Sequence, residues 1–262
     1  MNNLSEIRKQ FAKTYGIPAG NCKDSRHEEW IRGVRPLLVF LIADFVCVGI
    51  FIAISFIKYF PKSLDYILLL DTLAIFLLLF GAYLLNKLMK KTEAEMTAYD
   101  VGIEGENAVA AELTFLPPEY VVFHSVNLPD CKWDIDHIVL SPYGIILIET
   151  KKWNTLMEYK DGKLAYDRKA YPKDPLEQLK GQAISLKEYL EGIPGIGKLW
   201  IQGTLCLVGQ ELKGIPEFLI DKCYVTNEKR LFDRIVNHGR PGSISEKDLG
   251  LIEGKLGELC RE

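Results

Sequence analysis

Two apolar runs constrain this chain more than any other feature of its sequence. Leu37–Ile57 (LLVFLIADFVCVGIFIAISFI) carries one charge in 21 residues, and Tyr66–Leu85 (YILLLDTLAIFLLLFGAYLL) carries one in 20. At about 1.5 Å per residue, a helix of either length spans roughly 30 Å, the hydrocarbon thickness of a bilayer. A pair of buried helices in a water-soluble bundle is the alternative, but such helices keep a polar stripe, and these runs are apolar on every face. We read residues 36–86 as a two-helix transmembrane hairpin, with helices at 37–57 and 66–85. The eight-residue linker Lys58–Asp65, containing Pro61, forces an antiparallel return.

Lys and Arg counts orient the hairpin. Seven lie between residues 8 and 35, and Lys87, Lys90 and Lys91 follow the second run, whereas the linker holds only Lys58 and Lys62. Positive residues stay inside, so the expectation is a multi-pass protein of the cell membrane, with the bilayer as a partner and both termini cytoplasmic. Asp44 and Asp71 interrupt the runs, and an acid in lipid is a functional candidate by default. They are offset by roughly 10 Å along the membrane normal, with no intramembrane Lys or Arg to pair with. That offset favours partial protonation, or a helix–helix hydrogen bond in a homo-oligomer, over a transport pathway. Residues 1–35 read as a cytoplasmic, partly helical segment, since Ile7, Phe11 and Tyr15 recur at helical spacing before Gly16-Ile17-Pro18. No chemistry is evident there. Residues 87–100 read as a linker.

Composition narrows the remainder. A hydrophobic content of 48% and a mean hydropathy of +0.04 exclude a disordered chain. Residues 101–262 hold 20 basic and 25 acidic residues, so a nucleic-acid partner must be gripped by a local patch or a metal. Six cysteines never form a CxxC pair, and only four histidines are present, which argues against structural zinc.

From Val101 onward the pattern is mixed α/β. Ile103–Leu116 reads as a helix ended by Pro117-Pro118. Tyr120–Val126, Trp133–Leu140 and Gly144–Lys151 read as strands, and Asp161-Gly162 as a hairpin turn. Asp174-Pro175-Leu176-Glu177 opens a helix with Asp as N-cap and Pro at the first helical position. Trp200–Val208 and Lys222–Thr226 are further strands, and Ser245 caps a last helix. The order is α-β-β-β-α-β. Gly192–Lys198 fits GxxxxGK, but Leu199 replaces the Ser/Thr and a helix precedes it, so it reads as a turn.

Charge at the ends of the second and third strands is the chemical signal. Alternation puts Asp134 and Asp136 on one face of one strand, and Glu149 and Lys151 on one face of its neighbour. Strands about 4.8 Å apart can gather Asp136, Glu149 and Lys151. Two carboxylates and a backbone carbonyl suit Mg²⁺ or Mn²⁺ rather than zinc. The lysine could orient or help deprotonate the attacking water, or neutralise charge developing on phosphate. A structural carboxylate–lysine ion pair explains the same residues without catalysis.

Asp136 followed by Glu149-Thr150-Lys151 resembles the PD-(D/E)xK nuclease signature, with Ile135 in place of the signature proline. Gly102-x-x-Gly105-Glu106, Ile135–Val139, Gly144, Ile148–Lys151 and Pro175-x-x-Gln178 together resemble the nuclease-related domain, NERD, over roughly residues 101–210, in a domain taken as 101–262. The resemblance implies a restriction-endonuclease-like αβββαβ core following the hairpin, acting on DNA or RNA with Mg²⁺ or Mn²⁺. It implies Asp136, Glu149 and the Thr150 carbonyl as metal ligands, and Lys151 serving the attacking water and the transition-state charge. Glu106 would reach the site from the first helix, and Gln178, with Gln182 one turn later, would position metal or substrate. The competing expectation is an inactive nucleic-acid-binding or scaffold protein on the same fold.

Overall fold

A computed structural model describes residues 11–56, 64–129, 131–153, 158–160, 163–165, 174–212, 223–238 and 242–260, with some side chains between 37 and 78, and those of 158–160, 163 and 165, outside the description. In chain order the elements are β1 (Lys13–Tyr15), α1 (Gly20–Phe56), α2 (Leu64–Leu113), β2 (Val121–Val126), β3 (Ile135–Ser141), β4 (Gly144–Lys151), β5 (Glu158–Lys160) and β6 (Lys163–Ala165). They continue with α3 (Pro175–Glu191), β7 (Ile201–Leu207), β8 (Tyr224–Thr226), α4 (Glu228–Asp233), a π-helical turn Arg234–His238, and α5 (Glu246–Gly257). Two compact units result: Asp24–Asp100, and Met1–Lys23 together with Val101–Glu262.

The second unit is built on a six-stranded mixed sheet of order β1-β2-β3-β4-β7-β8. β2, β3 and β4 form an antiparallel meander, because the Ser141–Gly144 turn is tight enough to reverse the chain. β7 joins β4 in parallel after the α3 crossover, and β8 joins β7 in parallel. Strand alternation then sorts the apolar residues. Phe123, Ile138, Leu140, Ile145, Leu147, Leu205 and Leu207 share one face, packed beneath Leu179, Leu186 and Leu190 of α3 and Ile252 and Leu256 of α5. Val122, Val139, Ile146, Ile148 and Cys206 share the other, packed against Val109 and Leu113 of α2 and Leu231 of α4. With both faces covered, β4 reads as an unbroken apolar run until Glu149.

The capping signals act as the sequence implies. The Asp174 side chain accepts from the Leu176 N–H and Pro175 opens α3, while Ser245 accepts from the Asp248 N–H to open α5. Gly192 closes α3, which makes the GxxxxGK stretch the start of a helix-to-strand connection. β5 pairs with β6 antiparallel, Lys160 opposite Lys163; Asp161 and Gly162 lie outside the described residues.

The amino-terminal stretch departs from its reading. Ile7 lies outside the described residues, and Lys13–Tyr15 form an edge strand parallel to β2 rather than a helix. Tyr15 stacks on Phe123 with ring centroids 5.2 Å apart, and its hydroxyl donates to Glu253 at 2.8 Å. Ser125 holds a left-handed backbone (φ 51°), and its hydroxyl donates to the Ile17 carbonyl and accepts from the Gly20 N–H, both at 2.9 Å. A residue other than glycine keeps such a conformation only where its surroundings fix it.

Within Asp24–Asp100, α1 and α2 touch at two levels. Arg26 pairs with Asp100 at 2.6 Å, and a Cβ added to Gly33 would lie 2.7 Å from Thr92 Oγ1, so the two helices run antiparallel there. Residues 87–100, expected as a linker, lie inside α2. The transmembrane hairpin expected at 36–86 is not found: among the described residues, no helix is long and apolar enough to cross a membrane. Ile57–Ser63, and the side chains of Asp44 and Asp71, lie outside the described residues. Among the apolar side chains described here, Leu38, Val39, Ile42, Phe76 and Leu79 are each more than half exposed, while Phe40, Leu84 and Leu85 are partly buried.

Candidate active site

The sheet register sets the site. β3 and β4 pair His137 with Ile148 and Ile138 with Leu147. One further step along this antiparallel ladder puts Asp136 opposite Glu149, and opposed residues project to the same face. The apolar row Ile145–Leu147 thus gives way to Glu149 and Lys151 where β4 leaves the core. Glu149 is fully buried, and Lys151 is about one-fifth exposed.

A buried carboxylate needs partners, and Glu149 has them on both oxygens. The Lys151 ammonium donates to Oε1, and Gln182 Nε2 donates to Oε2 at 2.7 Å. Gln182 also donates to the Asp134 carbonyl at 2.6 Å, tying α3 to the entrance of β3. Glycine makes this possible: a Cβ on Gly181 would stand 2.3 Å from the Trp133 ring. Asp136 Oδ2 accepts from the Thr150 N–H at 2.7 Å. Gly105 brings α2 against Thr150 and Lys152, since a Cβ there would lie 2.9 Å from Lys152 Cβ. Glu106 is thereby buried beside the cluster, and its Oε1 accepts from the Cys22 thiol at 3.1 Å.

These acids crowd one another. Burial, then the Glu149 and Glu106 charges, hold Asp136 well above the usual carboxylate range. Burial, with Asp134 and Glu149 nearby, pushes Glu106 up to about 7 against the lowering effect of the Cys22 thiol. Burial alone would lower Lys151, but the Glu149 and Asp136 carboxylates outweigh it and raise its pKa. Lys151 therefore stays charged at neutral pH, which fits a charge-neutralising donor better than a base for water.

Of the residues implied in sequence, Asp136, Glu149, Thr150, Lys151 and Glu106 come together here. Gln178 does not bond the glutamate; Gln182, one turn later, does. Cys22 was not anticipated, and its place depends on a contact across 84 residues. Asp134 is exposed and contributes its carbonyl. His137 lies on the opposite face, its Nδ1 2.8 Å from Nδ1 of His124. Lys152, next to the cluster, pairs with Glu104.

By donor type, Asp136, Glu149 and the Thr150 carbonyl suit a hard divalent cation. Among the described residues, no group of three or more His, Cys, Asp or Glu is gathered as a metal site. Protein carboxylates alone would leave coordination positions for water and substrate oxygen, as Mg²⁺ commonly requires.

Comparison with known proteins bears on one part of the chain. Residues 101–208 match the family described as NERD, the nuclease-related domain. No curated protein and no solved structure matches the chain. The family match suggests a nuclease-like function and, with it, nucleic acid as the partner and a divalent metal as the cofactor.

Proposed function

We propose that the Asp136–Glu149–Lys151 cluster is the active site of a divalent-metal-dependent phosphodiesterase that cleaves DNA or RNA. The observation that carries this reading is that β4 bonds both acids at the carboxyl end of a central strand, the Thr150 N–H donating to Asp136 and Lys151 to Glu149. Asp136, Glu149 and the Thr150 carbonyl would hold Mg²⁺ or Mn²⁺, which supplies Lewis-acid polarisation of a phosphoryl oxygen. Lys151 offers a permanent positive charge to the transition state. Gln182 fixes the Glu149 carboxylate, and Glu106 adds an acid whose pKa, at about 7, lies near physiological pH. Burial first, and then the neighbouring carboxylates, raise the pKa values of Asp136 and Glu106, and a bound dication would favour their charged forms.

A second reading has its own support. Both Glu149 oxygens already have partners, as a purely structural ion pair would have, and residues 101–262 carry excess acid. On that reading the chain binds nucleic acid or a protein partner without turnover. The full-length chain, incubated with nucleic acids and Mn²⁺ or Mg²⁺, separates the two. Metal-dependent cleavage lost in Glu149→Gln and in Lys151→Met, each by at least about 100-fold, supports the enzyme. Binding without cleavage, equal in wild type and Lys151→Met, supports the scaffold.

We further propose that residues 36–86 anchor the chain in the cell membrane with both termini cytoplasmic. The support is the two apolar runs, the Lys/Arg asymmetry, and the outward-standing apolar side chains of Asp24–Asp100. Retention of the full-length chain in carbonate-washed membranes tests it, and complete release into the wash overturns it.

A further inference from the structure

The amino-terminal stretch lies ahead of the matched family region, yet it reaches the candidate site. Cys22 stands in the first turn of α1, half-buried, with its thiol on Glu106 Oε1 at 3.1 Å. Its sulfur also lies over Gly102, 3.5 Å from where a Cβ would stand. Gly102 and Glu106 are one helical turn apart on α2, so the thiol lies along that face of the helix. The approach of Cys22 is independently fixed. Asn127 Nδ2 donates to Asn21 Oδ1 at 3.0 Å, and the left-handed Ser125 clamps Ile17 and Gly20.

Burial and the neighbouring Glu106 charge raise the Cys22 pKa, so the sulfur keeps its proton and acts as a donor. A donor on one oxygen limits how the Glu106 carboxylate can turn beside Asp136 and Glu149. We propose that Cys22 is a positioning residue of the nuclease-like site, holding Glu106 in place, and that the working unit is therefore discontinuous, residues 12–23 with 101–260. This rests on the nuclease reading above.

The test uses the full-length chain and the variants Cys22→Ser, Cys22→Ala and Glu106→Ala. Mn²⁺ titration monitored by calorimetry, and cleavage as a function of Mn²⁺ concentration, give the first readouts. Groups that orient a metal site from behind typically change metal affinity by about 10- to 100-fold, so Cys22→Ala should weaken Mn²⁺ binding about tenfold. Its maximal rate at saturating Mn²⁺ should change less, and its melting temperature should stay near that of the wild type. Cys22→Ser, which still donates, should restore most of the affinity. Equal Mn²⁺ affinity in wild type and Cys22→Ala, or no rescue by serine, overturns the proposal. Alkylation of Cys22, followed on its peptide by mass spectrometry without metal, gives the second readout. The thiol should react several-fold faster in Glu106→Ala than in wild type; equal rates overturn the contact. A wild type that neither binds Mn²⁺ nor cleaves removes the nuclease reading, and the alkylation rates then still decide whether Cys22 holds Glu106.

Discussion

The two units of this chain treat their apolar residues in opposite ways. In the sheet unit, Ile138, Leu140, Ile145 and Leu147 are sealed between helices, and Glu149 is buried at the end of that apolar row with Glu106 of α2 nearby. In Asp24–Asp100, residues of the same kind stand outward, Leu79 at 67% exposure and Val39 at 66%. Apolar content alone therefore does not separate the units; what they turn it towards does. A sheet covered on both faces excludes water with its own helices, whereas the described helical unit leaves large apolar side chains exposed.

The sharpest way to break this comparison is one substitution made in both places. Leu147→Asp puts an unpaired charge at the centre of β4, where it has no partner, and it should abolish folding of the sheet unit. Leu79→Asp should leave the melting of that unit unchanged; under the proposed membrane anchoring it should also weaken retention in the membrane fraction, since an aspartate costs about 2.5–3.5 kcal/mol at the centre of a helix in lipid. Circular dichroism and fractionation of the two variants read both effects. Equal loss of structure in both would show that the helical unit is sealed by protein after all.

The next effect tests how dry the sheet interior is. His124 and His137 face each other through Nδ1, one donating and one accepting, on the face opposite the carboxylates. Burial lowers His124 from 6.5 to about 4, and burial with His124 lowers His137 further. Both are neutral when folded and take up protons when unfolded, so the unfolded chain binds more protons in this window. Stability is then full above pH 6.5 and falls as pH drops towards 4, by roughly 3 kcal/mol for His124 at about 1.36 kcal/mol per unit. The crowded carboxylates Asp136 and Glu106 act in the opposite sense, since acid discharges them. Melting temperatures of wild type and of the double variant His124→Leu/His137→Leu between pH 7 and pH 4 isolate the histidine contribution. A variant that loses stability with acid as steeply as the wild type would show that the pair is hydrated.

These contrasts also explain what the sequence made legible. The αβββαβ order, and the shared face of Asp136, Glu149 and Lys151, follow from strand alternation and tight turns, which are local rules. β1 was hidden because Phe11 and Tyr15 mimic helical spacing, while the strand is fixed by Phe123 and Ser125 more than 100 residues away. Gln178 and Gln182 share a helix face, and sequence could not fix its rotation. The structure resolves it through Trp133, whose ring presses on Gly181 and turns Gln182 towards Glu149.

That wedge gives the third prediction. Gly181→Ala places a methyl 2.3 Å from the Trp133 ring, so either the indole or α3 must move. Overpacking of this kind costs about 1–3 kcal/mol. Because Gln182 is the next residue, the proposed cleavage should fall as well. Trp133→Leu should recover stability in the Gly181→Ala background, and additive losses in the double variant would show that the two do not press on each other.

The smallest expected effect concerns the edge of the sheet unit, where charge and burial can be weighed directly. Lys13 and Glu253 pair at 2.7 Å, with Lys13 raised and Glu253 lowered through their hydrogen bond. The lysine side chain is 60% exposed, so solvent screens the attraction, and exposed pairs contribute about 0.2–1 kcal/mol. A double-mutant cycle with Lys13→Ala and Glu253→Gln should give a coupling below about 1 kcal/mol that shrinks with salt. Tyr15→Leu should cost more than either single change, because it removes the Phe123 stack and the hydroxyl on Glu253 together. The reverse order would mean that the amino-terminal strand is held to the sheet by charge, and that burial is not what joins it to the domain it completes.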